Sequence, residues 1–175
     1  MYLLLIILLT LIGYFIFFIS QSYNIFFKGY APFISTGGEA IKEMLSEVKI
    51  KEGAIIYELG CGRARFLSIA ENNHAGSEYI GVENLFSIYL INKLKFKFKL
   101  SKIKLLKKDF YQIDLKNADL IYCYLNNETM KRLGDKFRQE CQEGTQIISQ
   151  RFPIPQLIPE KIKVIKNLKV YFYKI

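Results

Sequence analysis

The stretch Ala54-Ile55-Ile56-Tyr57-Glu58-Leu59-Gly60-Cys61-Gly62-Arg63-Ala64 decides the fold of this 175-residue chain. A short apolar run stops at Gly60, as a buried strand does, and two glycines then let the backbone turn tightly. Helical spacing resumes at Arg63 and lasts to about Asn72. Strand, glycine loop and helix in this order open a βα unit whose loop amides and helix terminus can face a ligand.

The alternation continues downstream. Tyr79 to Glu83 (YIGVE) reads as a second strand and Leu85 to Phe98 as a helix. Ile103 to Lys107 gives a third strand, Ala118 to Leu125 (ADLIYCYL) a fourth and Thr145 to Gln150 (TQIISQ) a fifth, with a charged helix over Glu128 to Cys141 before the last. Upstream, Ile41, Met44, Leu45 and Val48 share one face of a helix over Glu39 to Val48. Lys163 to Ile165 and Lys169 to Lys174 lie close together and predict an antiparallel hairpin at one edge. The pattern predicts an α/β fold with a doubly wound, mostly parallel, Rossmann-like sheet.

The chain opens differently. No charged side chain precedes Lys28, and Tyr2 to Ile19 (YLLLIILLTLIGYFIFFI) is broken only by Thr10 and Gly13. About twenty such residues cross a hydrocarbon core of about 30 Å, so an N-terminal transmembrane helix is expected. A signal peptide fits worse, for there is no basic n-region or small-residue cleavage site. The predicted organisation is an anchor over 1–27, a loop over 28–38 and one domain over 39–175. Lys28, Lys42, Lys49 and Lys51 follow the anchor, which predicts a single-pass membrane protein with its domain on the cytoplasmic side.

Behind that anchor roughly 145 residues remain, enough for one cored domain. The formal charge of +9 favours anionic partners without choosing among them. Cys61, Cys123 and Cys141 are widely spaced, odd in number and form no CxxC pair, and His74 is the only histidine. No metal site is expected, and the cysteines read as buried packing residues. Lys93, Lys95, Lys97, Lys99, Lys102, Lys104, Lys107 and Lys108 form a run that is either a solvated face or a contact for anionic head groups.

In a doubly wound sheet the ligand sits at the carboxyl ends of the strands. There the sequence places Glu58, Gly60 and Gly62, with Glu83 closing strand two 21 residues after Gly62 and Asp109 following strand three. A carboxylate at the position of Glu83 can accept two hydrogen bonds from a ribose diol. A dinucleotide site would need glycine where Arg65 stands, and its pyrophosphate would be repelled by Glu58. An acid there suits a ligand with a cationic end, such as an ammonium or sulfonium.

At these residues the chain resembles the class I methyltransferases that use S-adenosylmethionine (SAM). The resemblance implies that Glu58, Gly60 and Gly62 hold the methionine part, that Glu83 binds the ribose, and that Asp109, with Phe110 beside it, contacts the adenine. The flanks narrow it further. APFISTG (31–37), KDFYQIDL (108–115), DLIYCYL (119–125) and ISQRFPIP (148–155) behind a membrane helix look like the lysine methyltransferases of the ATP synthase c-subunit and the adenine nucleotide translocase. Their matches here are Pro32, Thr36, Arg65, Asp109-Phe110, Arg151-Phe152-Pro153 and Pro155, and Thr36 joins the expected cofactor residues. Two positions depart from that family: Ala64 stands for a third glycine and Arg63 for an acid.

By this resemblance the substrate is a lysine on a membrane-associated protein. Methyl transfer is an in-line displacement that needs alignment and a deprotonated amine. Tyr124 and Asn126, at the end of strand four, are the expected catalytic residues, although Asn126 or Asn127 also suits a helix cap. No Asn-Pro-Pro-aromatic motif is present, which disfavours nucleic-acid bases. A lipid or quinone substrate, or a non-catalytic SAM-binding membrane scaffold, are the alternatives.

Overall fold

The computed structural model describes residues 2–28 and 36–175, with side chains described over 2–19 and from 36 onward. The chain divides into two compact units, residues 1–32 and 33–175. The expected loop over Gly29–Gly38, with Pro32, falls largely outside the described residues.

In the first unit, helix α1 covers Tyr2–Lys28. Its segment Tyr2–Ile19 has a mean hydropathy of 2.8, and none of it is buried within the molecule. The hydroxyl of Thr10 donates to the Ile7 carbonyl at 2.7 Å, so it makes no demand on its surroundings. By length and composition this helix is able to cross a membrane.

The second unit is a seven-stranded sheet with helices on both faces. Its elements in chain order are α2 (Gly38–Ser46), β1 (Ile55–Leu59), α3 (Arg65–Asn73), β2 (Glu78–Val82), α4 (Phe86–Phe98), β3 (Lys104–Leu106), β4 (Leu120–Cys123), α5 (Asn127–Glu140), β5 (Gln146–Gln150), β6 (Lys161–Ile165) and β7 (Leu168–Lys174). The order across the sheet is β3-β2-β1-β4-β5-β7-β6. The first five strands pair in parallel, and β7 and β6 add antiparallel at the edge as the expected hairpin. Lys166 and Asn167 make its two-residue turn with both φ values positive, the twist that hairpin turns require.

The chain leaves β1 toward β2 and β3, then returns to lay β4 against the other side of β1. That reversal opens a crevice at the carboxyl ends of β1 and β4. Register sets Glu58 opposite Gly81 on one side and Tyr122 on the other, so these positions share a face. On this face Ile56, Tyr79, Leu120, Ile148 and Phe172 pack under Ile41, Met44 and Leu45 of α2 and Phe66, Leu67 and Ala70 of α3. The other face takes α5, whose Met130, Leu133 and Phe137 are fully buried. All three cysteines are buried and free, as expected, and burial pushes their thiols up.

Inside α5, Gly134 occupies a position where alanine normally favours a helix by about 1 kcal/mol. Here the 154–156 segment runs against the helix: a Cβ on Gly134 would stand 2.7 Å from Gln156 Cδ and 2.9 Å from the buried Ile154 Cγ2. Gly134→Ala is therefore expected to lower unfolding free energy by about 1–3 kcal/mol, as overpacking does. Urea unfolding checks the sign; a gain in stability would mean the segment moves aside freely.

Candidate functional site

The loop after β1 is built by backbone conformation. Gly60, Gly62 and Ala64 have φ of 67°, 49° and 49°, so every second residue is left-handed. Ala64 carries a Cβ in that region, which costs roughly 1 kcal/mol and is the local consequence of lacking a third glycine. A Cβ on Gly60 would come within 2.9 Å of Leu125 Cδ2, just beyond β4. The loop thus presses on the crevice between β1 and β4, and only glycine fits at 60.

Ala64 is also the N-cap of α3 and has no side chain able to accept the helix's free N–H groups. Glu58 does that work from the strand. Its Oε2 accepts from the Leu67 N–H at 3.1 Å, and the Phe66 N–H also reaches the carboxyl. The group is 6% exposed. Burial pushes its pKa up to about 8, against the lowering effect of those two N–H groups, and the nearby Glu83 raises it further.

Glu83 lies one residue past β2 and bridges two loops. Its Oε2 accepts from the Gly62 N–H at 2.9 Å, and its Oε1 accepts from the Leu85 N–H at 2.8 Å. Burial raises this carboxyl as well, against the N–H groups of Leu85, Gly62 and Asn84. From α4, the buried Asn92 Nδ2 donates to the Gly62 carbonyl, and Lys95 Nζ donates to the Arg63 carbonyl at 3.1 Å. Glu58, Gly60, Gly62 and Glu83 therefore meet around one loop.

Asp109 follows β3 and caps a short 3-10 turn over Phe110–Gln112, its Oδ1 accepting from the Tyr111 N–H at 3.0 Å. Phe110 is buried with its ring 4.8 Å from that of Tyr111, which carries the Arg132 guanidinium at 4.2 Å on its face. This places an acid and an aromatic cluster after β3.

Thr36 belongs to a polar cluster that sequence reasoning did not foresee. Its Oγ1 lies 2.9 Å from the Tyr122 hydroxyl and donates to Gln150 Oε1 at 2.9 Å, while Tyr122 donates to the same oxygen at 2.6 Å. The Tyr122 ring stacks on Phe66 at 4.1 Å with planes 1° apart. A glutamine at the end of an apolar strand was the one available signal. Next to this cluster the Arg65 guanidinium lies near Gly38, and Arg151, left-handed at φ 73°, donates its N–H to the Lys169 carbonyl at 2.7 Å.

Of the expected catalytic pair, Tyr124 follows β4 and packs half-buried against the core. Asn126 is the N-cap of α5, its Oδ1 accepting from the Thr129 N–H at 2.8 Å. A cleft of about 600 Å³ lined by Lys49, Lys51, Asp119 and Gln146 lies at the opposite, amino ends of the strands, away from these groups.

A strap of left-handed residues, a buried acid beneath it and a second acid clamped at the end of β2 thus lie at the carboxyl ends of the strands, and comparison with known proteins makes the chain a SAM-dependent methyltransferase. The chain belongs to the family described as the ANTKMT methyltransferase domain, which it matches over residues 58–161. It is similar to a protein-lysine N-methyltransferase of Saccharolobus islandicus, at 24% identity over 159 residues, covering 83% of this chain and 94% of that protein. Its fold is that of an RNA methyltransferase from Salinibacter ruber solved with S-adenosyl-L-homocysteine, at a TM-score of 0.76 and 20% identity over 81% of this chain and 94% of that one. A precorrin-6y C5,15-methyltransferase from Geobacter metallireducens aligns with a TM-score of 0.67 and 11% identity, covering 81% and 89%.

Glu58 also sets a pH dependence. Its folded pKa of about 8 lies above the unfolded carboxyl value near 4.5, so between those values the folded chain binds more protons than the unfolded one. Stability contributed by the neutral acid is full below about pH 4.5 and is lost as pH rises toward 8, on the order of 4 kcal/mol by linkage. Glu58→Gln is expected to flatten this slope and to melt higher than the parent at pH 8. Thermal unfolding across pH 5 to 8 without cofactor checks it; parallel curves for both chains would refute the assignment.

Proposed function

We propose that this chain is a protein-lysine N-methyltransferase whose substrate is a membrane-associated protein, anchored through Tyr2–Ile19 with its second unit on the cytoplasmic side. The observation that carries the substrate class is the archaeal relative, a protein-lysine N-methyltransferase that aligns along 94% of its length. The fold does not choose a substrate, since RNA and precorrin methyltransferases share it. The span's length, apolarity and lack of burial support the anchor.

In this reading the domain starts near Glu39. Glu58 with the loop of Gly60 and Gly62 holds the methionine end of SAM, Glu83 the ribose, and Asp109 with Phe110 the adenine. Thr36 acts from the wall, through Tyr122 and Gln150. The fit rests on the observed groups: acceptors stand at Glu58, Glu83 and Asp109, and the backbone at Gly60 leaves no room for a side chain. SAM supplies a methyl group activated by its sulfonium. The protein's part is to align an amine and keep water out. Tyr124 offers a phenol at the carboxyl end of β4 to orient the lysine amine. Asn126 stands beside it as the N-cap of α5 and would help shape the amine's approach.

Two measurements test this. Glu83→Ala removes a charge-assisted acceptor worth about 1.5–3 kcal/mol, so SAM affinity should fall between about tenfold and a hundredfold by calorimetry. Unchanged affinity with the circular dichroism intact would remove the ribose role. For the substrate, purified enzyme incubated with tritiated SAM and membranes from cells lacking the gene should label protein, with methyl-lysine recovered after hydrolysis. Label confined to the lipid extract would replace this reading with a small-molecule methyltransferase.

A further inference from the structure

Helix α4 faces two ways. Ile88, Asn92 and Phe96 point into the domain and are buried. The opposite side carries Phe86, Leu90, Ile91, Leu94 and Phe98, exposed by 61%, 42%, 60%, 50% and 84%, and Leu100 beyond the helix is 91% exposed. At 100° per residue the five helical side chains fill an arc of about 140°. A helix apolar on both sides needs a second cover, because water is a poor neighbour for so much contiguous hydrocarbon.

The surroundings specify that cover. Between Glu83 and Asp109 the chain has eight lysines and no acid. Lys93 lies about 20° outside one edge of the arc and Lys97 about 20° inside that edge; both are exposed, with Lys99 and Lys102 past the end of the stripe and Lys107 Nζ 5.7 Å from the Phe86 ring. Glu71 of α3 is tied to the Ser101 hydroxyl and the Lys102 N–H, and Glu78 to Lys104; an apolar stripe whose own stretch carries lysines and no acid is the pattern of a helix that lies in a membrane interface. Its hydrocarbon dips below the head groups while its ammonium groups meet lipid phosphates. A protein partner of ordinary composition would gain little from a rim dominated by one charge.

We propose that the outer face of α4 docks on the surface of an anionic bilayer. This rests on the reading of Tyr2–Ile19 as a membrane span, which would present that surface at high effective concentration. The ring of lysines favours the leaflet richer in anionic lipid. Asn92, on the inner face of the same helix, would join the docked surface to the cofactor loop through its bond to the Gly62 carbonyl.

The test uses the full chain reconstituted into vesicles of phosphatidylcholine with phosphatidylglycerol. Leu94→Cys and Phe98→Cys, each labelled with an environment-sensitive fluorophore, are compared with Gln139→Cys, an exposed site on α5. Positions 94 and 98 should show blue-shifted emission and a several-fold drop in quenching by a water-soluble quencher, while position 139 should not. The protection should weaken in phosphatidylcholine alone. Equal quenching at all three positions overturns the proposal. So does protection that disappears when the copies are diluted across excess vesicles, since a second copy then covers the face. Alkaline carbonate extraction separates the two readings: release from the vesicles refutes the span, whereas retention with position 94 open to quencher refutes the docking alone.

Discussion

A buried carboxyl on a strand, accepting hydrogen bonds from the first turn of the next helix, is the interaction on which the glycine-loop end of this molecule depends. Glu58 supplies α3 with the cap that Ala64 lacks, and so fixes where the helix starts relative to β1. The loop between them is then short of freedom, and its left-handed residues are held from three sides: by Leu125 beyond β4, by Glu83 beyond β2 and by Asn92 from α4. Leu125 and Glu83 sit just past the ends of two strands, and Asn92 reaches in from the middle of a helix. That is why the reversal of strand order, which gathers those ends, matters more to the site than any one residue.

Most of the fold was legible because its strands are short apolar runs closed by glycine or polar residues and its helices have clear apolar spacing. AIIYEL and TQIISQ became β1 and β5 within a residue, and the closely spaced tail became the edge hairpin. Boundaries moved where a side chain from elsewhere intervened: α3 begins at Arg65 and not Arg63 because the left-handed loop extends through Ala64. The 3-10 turn at Phe110 was not foreseen, since its only local signal is the Asp109 cap.

The acids and glycines of the candidate site could be placed together from the sequence, because their spacing along the chain reflects strand ends. The partners were not legible. Nothing in the sequence near Thr36 points to Tyr122 or Gln150, which are 86 and 114 positions away and meet it only because β4 and β5 lie side by side. Asn126 shows the opposite difficulty: in sequence one side chain suits a helix cap and a substrate contact alike, and the observed bond from Thr129 is the cap.

The double hold on Glu83 has an entropic consequence. A free glutamate side chain loses up to about 1.5–2 kcal/mol of rotamer freedom when it is fixed in place. Here both carboxylate oxygens are pinned by the chain's own backbone N–H groups, so that loss belongs to folding and not to binding. A ligand whose hydroxyls meet the remaining lone pairs finds its acceptor waiting in one orientation, and the ordering penalty that weakens recognition by flexible carboxylates is absent at this one.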